Sequence, residues 1–253
     1  GGFAFLNDSA NAAGIAVVHS LFNIGTVLVL YPFGDKLVKL AQLTIPDHVG
    51  ETEEKPDELA VLDERFLEKP AFAMELCRNA AVRMAQESRD ALHLALDNVT
   101  MYSESRVAKI IEMEESVDRY EDALGTYLVK LNNCDLSQKD SRTLSILLHC
   151  IGNFERISDH AVNITDSSTQ MHEKKLKFSK KAMEELKVFS DALCDIVDET
   201  MEAFTMNDLD KARQIEPFEQ VIDSLNIELK QRHIHRLRKG KCTIELGLIL
   251  EDM

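Results

Sequence analysis

The chain has 253 residues, 45% hydrophobic and 29% charged, with 29 Lys and Arg against 44 Asp and Glu. That apolar share supplies a folded core and excludes a disordered chain. The net charge of -15 excludes a nucleic-acid surface, which needs a basic footprint to release counterions from phosphates, and suits metal cations instead.

Residues 1–43 hold Lys36 and Lys39 against Asp8 and Asp35, so the whole negative charge lies after them. Within this segment, Ala12 to Phe33 carries no charged residue. That length is enough to cross a bilayer as a helix, and the stretch is predicted to be a transmembrane span. It lacks the basic leader of a signal peptide. Lys36 and Lys39 just after it place its C-terminal end in the cytoplasm by the positive-inside rule. The alternative is a helix buried in a soluble protein, which His19 and Asn23 inside the span favour. Residues 44–69 are rich in acids, with Pro46 and Pro56 inside and Pro70 just beyond. They read as an extended linker and a domain boundary.

After Pro70 the next proline is Pro217, and the interval is rich in Ala, Leu, Glu, Lys and Met, all good helix formers. The pattern predicts helices at about 70–99, 103–132, 138–168, 175–206, 208–238 and from 241 onward. Asn132-Asn133 before Ser137, and Asn207-Asp208, supply end and cap signals. Met113 to Asp118 aligns with Phe218 to Asp223 at an offset of 105, so the fold class is all-α: one N-terminal transmembrane helix, then tandem three-helix bundles over 70–169 and 173–253. The chain opens on Gly-Gly and stops at Met253 inside a helical pattern, so both ends read as cuts and the last helix as truncated.

Two acidic pairs are spaced four apart, Glu114 with Asp118 and Glu155 with Asp159, which puts each pair on one helix face. On a helical projection the first pair shares a stripe with Ile110, Ile111, Gly125, Leu128 and Val129. Glu155 lies between Leu148 and Val162, near Ile151, with Asp159 at the stripe's edge. Both pairs are therefore expected to point into the bundle. Four inward carboxylates cannot all stay ionised without a counter-charge. A bound cation supplies it, and oxygen-only ligands favour Mg, Mn, Ca or iron over zinc. The alternative partners are Arg106, Arg119 and Arg156. Glu219 and Asp223 lie at the margin of the stripe set by Ile215, Phe218, Ile222 and Leu229, and their repeat-related partners fall beyond Met253, leaving a half-site. A di-iron oxidase is a further alternative, disfavoured because His160 follows Glu155 by five rather than three.

The five cysteines show no paired metal spacing and read as reduced, small core residues. The basic run from Arg232 to Lys241, with His233 and His235, reads as a solvated helix end, with an anion site as the alternative. No nucleophile elbow, phosphate loop or HExxH is present, so the chain is not expected to be an enzyme.

Glu155-Arg156-Ile157-Ser158-Asp159-His160-Ala161-Val162-Asn163-Ile164 resembles the signature of PhoU proteins, and Glu114 to Asp118 resembles their other motif. That resemblance implies tandem three-helix bundles whose paired motifs hold divalent or iron-type metal ions, at Glu114, Asp118, Glu155 and Asp159, with Glu219 and Asp223 as the first half of a second cluster. His19-Ser20-Leu21-Phe22-Asn23 followed by Tyr31-Pro32-Phe33 is similar to the last membrane region of bacterial sodium/phosphate cotransporters, as Leu62-Asp63-Glu64-Arg65 is to their linker. This second resemblance implies the C-terminal fragment of a sodium-dependent inorganic phosphate cotransporter. It implies a plasma-membrane location, multi-pass in full length, with a cytoplasmic PhoU-like regulatory domain, sodium as the co-transported ion, and His19 and Asn23 on the transport path. Homo-oligomers are compatible with it. The family's glutamine-serine motifs are absent, so transport itself would rest with the full-length protein. A soluble PhoU-type phosphate-signalling adaptor is the alternative.

Overall fold

The computed structural model describes residues 12–33 and 58–252, and among these every regular element is helical. The chain divides into two compact units, Gly1–Pro56 and Asp57–Met253. The predicted linker lies outside the described residues up to position 57, as do Lys36 and Lys39.

In the first unit, α1 covers Ala12–Leu30 and is followed by a single 3-10 turn, Tyr31–Phe33. The described large apolar side chains of α1, among them Val17, Leu21, Phe22, Ile24 and Leu28, are exposed. Asn23 Nδ2 lies 3.3 Å from His19 Nδ1, and Thr26 Oγ1 donates to Phe22 O at 2.8 Å. Among the described residues, no helix is long and apolar enough to cross a membrane. The expectation of a transmembrane span over 12–33 is therefore not supported among the described residues. Four polar side chains, His19, Ser20, Asn23 and Thr26, interrupt its apolar run.

The second unit opens with two 3-10 turns, Glu58–Val61 and Glu64–Glu68. Leu59, Leu62, Phe66 and Leu67 pack against the core behind them. Pro70 then starts α2, where its missing N–H costs nothing and its fixed φ suits a helix; α2 runs Pro70–Thr100, α3 Glu104–Leu131 and α4 Gln138–Glu173. Asn98 near the end of α2 bonds Ser168 near the end of α4, so α2 and α4 run parallel with α3 antiparallel to both. The buried face of α2 is built from small residues, Ala73, Cys77, Ala81, Ala85, Ser88, Ala91 and Ala95, which lets neighbouring helices approach closely. The larger Val117, Leu124 and Leu128 of α3, and Leu147, Ile151 and Phe154 of α4, fill the space around them.

Helices α5, Lys180–Met206, and α6, Leu209–Arg238, form a hairpin. Asn207 closes α5 in the left-handed region at φ 54°, and the Asp208 carboxylate caps α6 by accepting from the Asp210 and Lys211 N–H groups, both at 3.0 Å. Pro217 sits inside α6 without ending it. Helix α7, Ile244–Asp252, seats Leu246, Ile249 and Leu250 against Leu186 of α5 and Leu229 of α6.

The predicted boundaries lie within one residue at both ends of α2 and α3, and at the start of α4 and of α6. The junction between α4 and α5 differs. The predicted end at about 168 falls short, and α4 continues to Glu173, with hydroxyls bonding within the helix: Thr165 Oγ1 donates to Ala161 O, and Ser168 Oγ and Thr169 Oγ1 to Thr165 O. Lys175 at φ 54° marks the turn, and α5 begins after Ser179, whose Oγ accepts from the Ala182 N–H. All five cysteines are free; Cys77 is fully buried and the others half-buried. The basic run is more engaged than a solvated end. Arg232 and Arg236 both pair with Glu185 of α5, and His233 is buried.

Candidate metal centre

Helices α3 and α4 each turn one face to α2, and the acidic pairs lie beside that face, along the groove between α3 and α4. Carboxylate oxygens of Glu114, Asp118 and Asp159 lie within 4.8 Å of one another, the one such group of three among the described residues. Glu155, one turn before Asp159, faces the same spot, since Asp159 and Asp118 both act on its carboxyl. Three of the four side chains that the spacing singled out therefore converge from two helices, with Glu155 beside the group.

The expectation that they point into the bundle is corrected. Asp118 and Asp159 are exposed, and Glu114 and Glu155 half-buried. The stripe that suggested burial includes Ile111, Val129 and Leu148, which are themselves exposed. The core-facing line of α3 runs instead through Ile110, Val117, Tyr120, Leu124 and Leu128. The acids border it at the groove's rim, where a cation from solvent can enter.

The electrostatics are one-sided. Partial burial in the groove raises the Glu114 carboxyl above its ordinary range, and Asp118, Asp159 and Glu115 raise it further. Asp118 is raised by partial burial, then by Asp159 and Asp122. Glu155 is raised by partial burial, then by repulsion from and hydrogen bonding with Asp159, and by Asp118 and Glu121. Among the described residues none of the four has an ion pair to Lys or Arg. Arg106 instead donates to Met101 O at 2.6 Å, and among the described residues no ion pair joins Arg119 or Arg156 to the acids. The charges that act on the site are carboxylates. Sequence reading missed the surrounding acids Glu115, Glu121 and Asp122, although Glu121 and Asp122 fall three and four residues after Asp118, on the same helix side.

Oxygen donors at this spacing, short of positive charge, fit a hard or intermediate cation. Glu219 and Asp223 are exposed on α6 and join no comparable group among the described residues. His19 and Asn23 lie on α1 in the other unit, in contact with each other.

Residues 81–167 match the PhoU domain family, and this range contains Glu114, Asp118, Glu155 and Asp159. This stretch is PhoU-like. The chain is also 24% identical over 164 residues, 63% of its length and 68% of the relative's, to the phosphate-specific transport system accessory protein PhoU homolog 1 of Thermotoga maritima. No solved structure matches it. The PhoU-like range starts inside α2 and ends inside α4, so it spans the three helices that build the acidic groove. Neither match is to a sodium/phosphate cotransporter.

Proposed function

We propose that the chain is a regulator of phosphate transport whose α3–α4 groove binds a divalent or iron-type cation through Glu114, Asp118, Asp159 and Glu155. The observation that carries this reading is the convergence of Glu114, Asp118 and Asp159 within 4.8 Å on a PhoU-like bundle, without a basic partner. A bound cation supplies the counter-charge the groove lacks and an open position for an anion such as inorganic phosphate. The chain's own part is to hold the four carboxylates ionised and in place: α3 fixes one pair, α4 the other, and the small-residue face of α2 sets the separation of the two helices. Loading the site removes the repulsion between the pairs and draws α3 and α4 together. Regulation follows if a transporter or sensor partner binds the loaded and unloaded forms with different affinity.

The domain from Asp57 onward works in the cytoplasm on this reading, as an adaptor without catalytic activity, with no nucleic-acid partner and with self-association open to it. The test is phosphate uptake in cells that lack the chain, complemented with wild type or with Glu114→Ala/Asp118→Ala/Asp159→Ala. Wild type is expected to restore phosphate-dependent control of uptake, and the triple variant to leave it unregulated. Equal control by both would refute the site's role.

A second reading, that the domain is tethered to the membrane part of a sodium-dependent phosphate cotransporter, is favoured by the exposed apolar surface of α1. On that reading His19 and Asn23 border the transport path of phosphate and sodium. Carbonate extraction of membranes separates the two: the tethered form stays in the pellet, and the adaptor alone washes off.

A further inference from the structure

The basic charge of this acidic chain is gathered at one end of the α5–α6 hairpin. Residues 174–187 and 230–241 hold 12 Lys and Arg against 2 Asp and Glu, in a chain with 29 against 44. The fold brings the two stretches together. Glu185 near the start of α5 pairs with Arg232 at 3.3 Å and with Arg236 near the end of α6, and Leu176 and Phe178 pack in one cluster with Cys242. Lys187 is engaged by Asp191 at 3.0 Å. Left over are Lys177, Lys180 and Lys181 on the first stretch and Arg238, Lys239 and Lys241 on the second, all exposed and, among the described residues, without an ion pair.

We propose that this end of the hairpin docks on an anionic phospholipid surface. Six unpaired cations in one place match the charge such a surface attracts, at about fivefold in affinity for each Lys or Arg near it. Five of the six are lysines, point charges on flexible stems rather than guanidinium forks held in a fixed geometry, which suits a fluid array of headgroups better than one shaped anion. Ile244, three residues after Lys241 and 70% exposed, adds an apolar side chain that can enter between headgroups. The acidic groove does not oppose the contact: Asp159 stands about 20 Å along α4 from Glu173, beyond the screening length of about 8 Å. Docking would hold the domain at the bilayer, where a phosphate transporter sits. It needs no cation in the groove, so it goes beyond the regulatory reading and does not depend on it.

The test is sedimentation of the full chain with phosphatidylcholine vesicles, with and without phosphatidylserine. Wild type is expected to bind the anionic vesicles and to be released by high salt. Lys177→Gln/Lys181→Gln/Lys241→Gln should bind them about 100-fold more weakly, at about fivefold per lysine, and Glu114→Ala/Asp118→Ala/Asp159→Ala no more weakly than wild type. Equal affinity of wild type and the lysine variant for the anionic vesicles overturns the proposal, as does wild type that binds DNA or inorganic polyphosphate and ignores the vesicles. Where the exposed apolar α1 holds the chain on both vesicles, amine-reactive labelling read by mass spectrometry decides. Lys177, Lys181 and Lys241 should be shielded on the anionic vesicles alone, and equal labelling on both overturns the proposal.

Discussion

Asn98 is fully buried and joins three segments. Its Nδ2 donates to Ser168 Oγ at 2.9 Å, and its Oδ1 accepts from the Ser103 N–H at 2.9 Å, fixing the α2–α3 turn against α4. Asn98→Ala leaves that backbone N–H without its partner and is expected to cost about 1–3 kcal/mol, lowering the Tm by roughly 2–4 °C per kcal/mol. An unchanged thermal midpoint would contradict the role. The acids of the groove act in the opposite sense. Glu114, Asp118 and Glu155 have raised pKa values in the folded protein, so without metal they oppose folding once pH rises above their unfolded values, and protonation on acidification removes that opposition. Because the groove is open to solvent, the effect is discounted to on the order of 0.5 kcal/mol, about 1–2 °C in Tm. Glu155→Gln is expected to raise the metal-free Tm at neutral pH by that amount and to do nothing at a pH below both pKa values. A lower Tm at neutral pH would show that Glu155 is already compensated.

At the scale of elements, α7 is placed by a glycine. A Cβ on Gly247 would stand 2.9 Å from His233 Nε2, and His233 is only 4% exposed, so the ring has no room to move aside. Gly247→Ala is expected to cost about 1–3 kcal/mol through overpacking, and amide exchange should quicken in 244–252 while α2 to α4 stay protected. Uniform protection would mean that α7 tolerates the methyl group. Where local chemistry decides an element, the sequence carried it: Pro70 opens α2, Ser137 caps α4, and Asn207 with Asp208 closes one helix and opens the next. The end of α4 was misread because Ser and Thr often cap or turn a chain, whereas here Thr165, Ser168 and Thr169 bond carbonyls of their own helix and Asn98, 70 residues away, donates to Ser168. The direction of the acidic pairs was misread for a related reason. Ile111, Val129 and Leu148 make an apolar stripe on paper, but which stripe is buried depends on where α2 lies.

At the scale of the molecule, the helical character of the described residues and the meeting of Glu114, Asp118 and Asp159 were legible from spacing and helix-forming composition. The α2–α5 seam was not. It brings residues about 100 apart in sequence together, and no local pattern says which helices lie side by side. The reading of 12–33 as a span rested on the absence of charge, whereas the helix stops at Leu30 and carries polar groups along its length. The central proposal is that the groove between α3 and α4 is a cation site. The direct measurement is the metal content of the purified full chain by plasma emission, for wild type, Glu155→Ala/Asp159→Ala and Glu219→Ala/Asp223→Ala. Wild type and the Glu219/Asp223 variant should retain a hard or iron-type metal that the Glu155/Asp159 variant loses; equal metal content in all three would contradict the assignment.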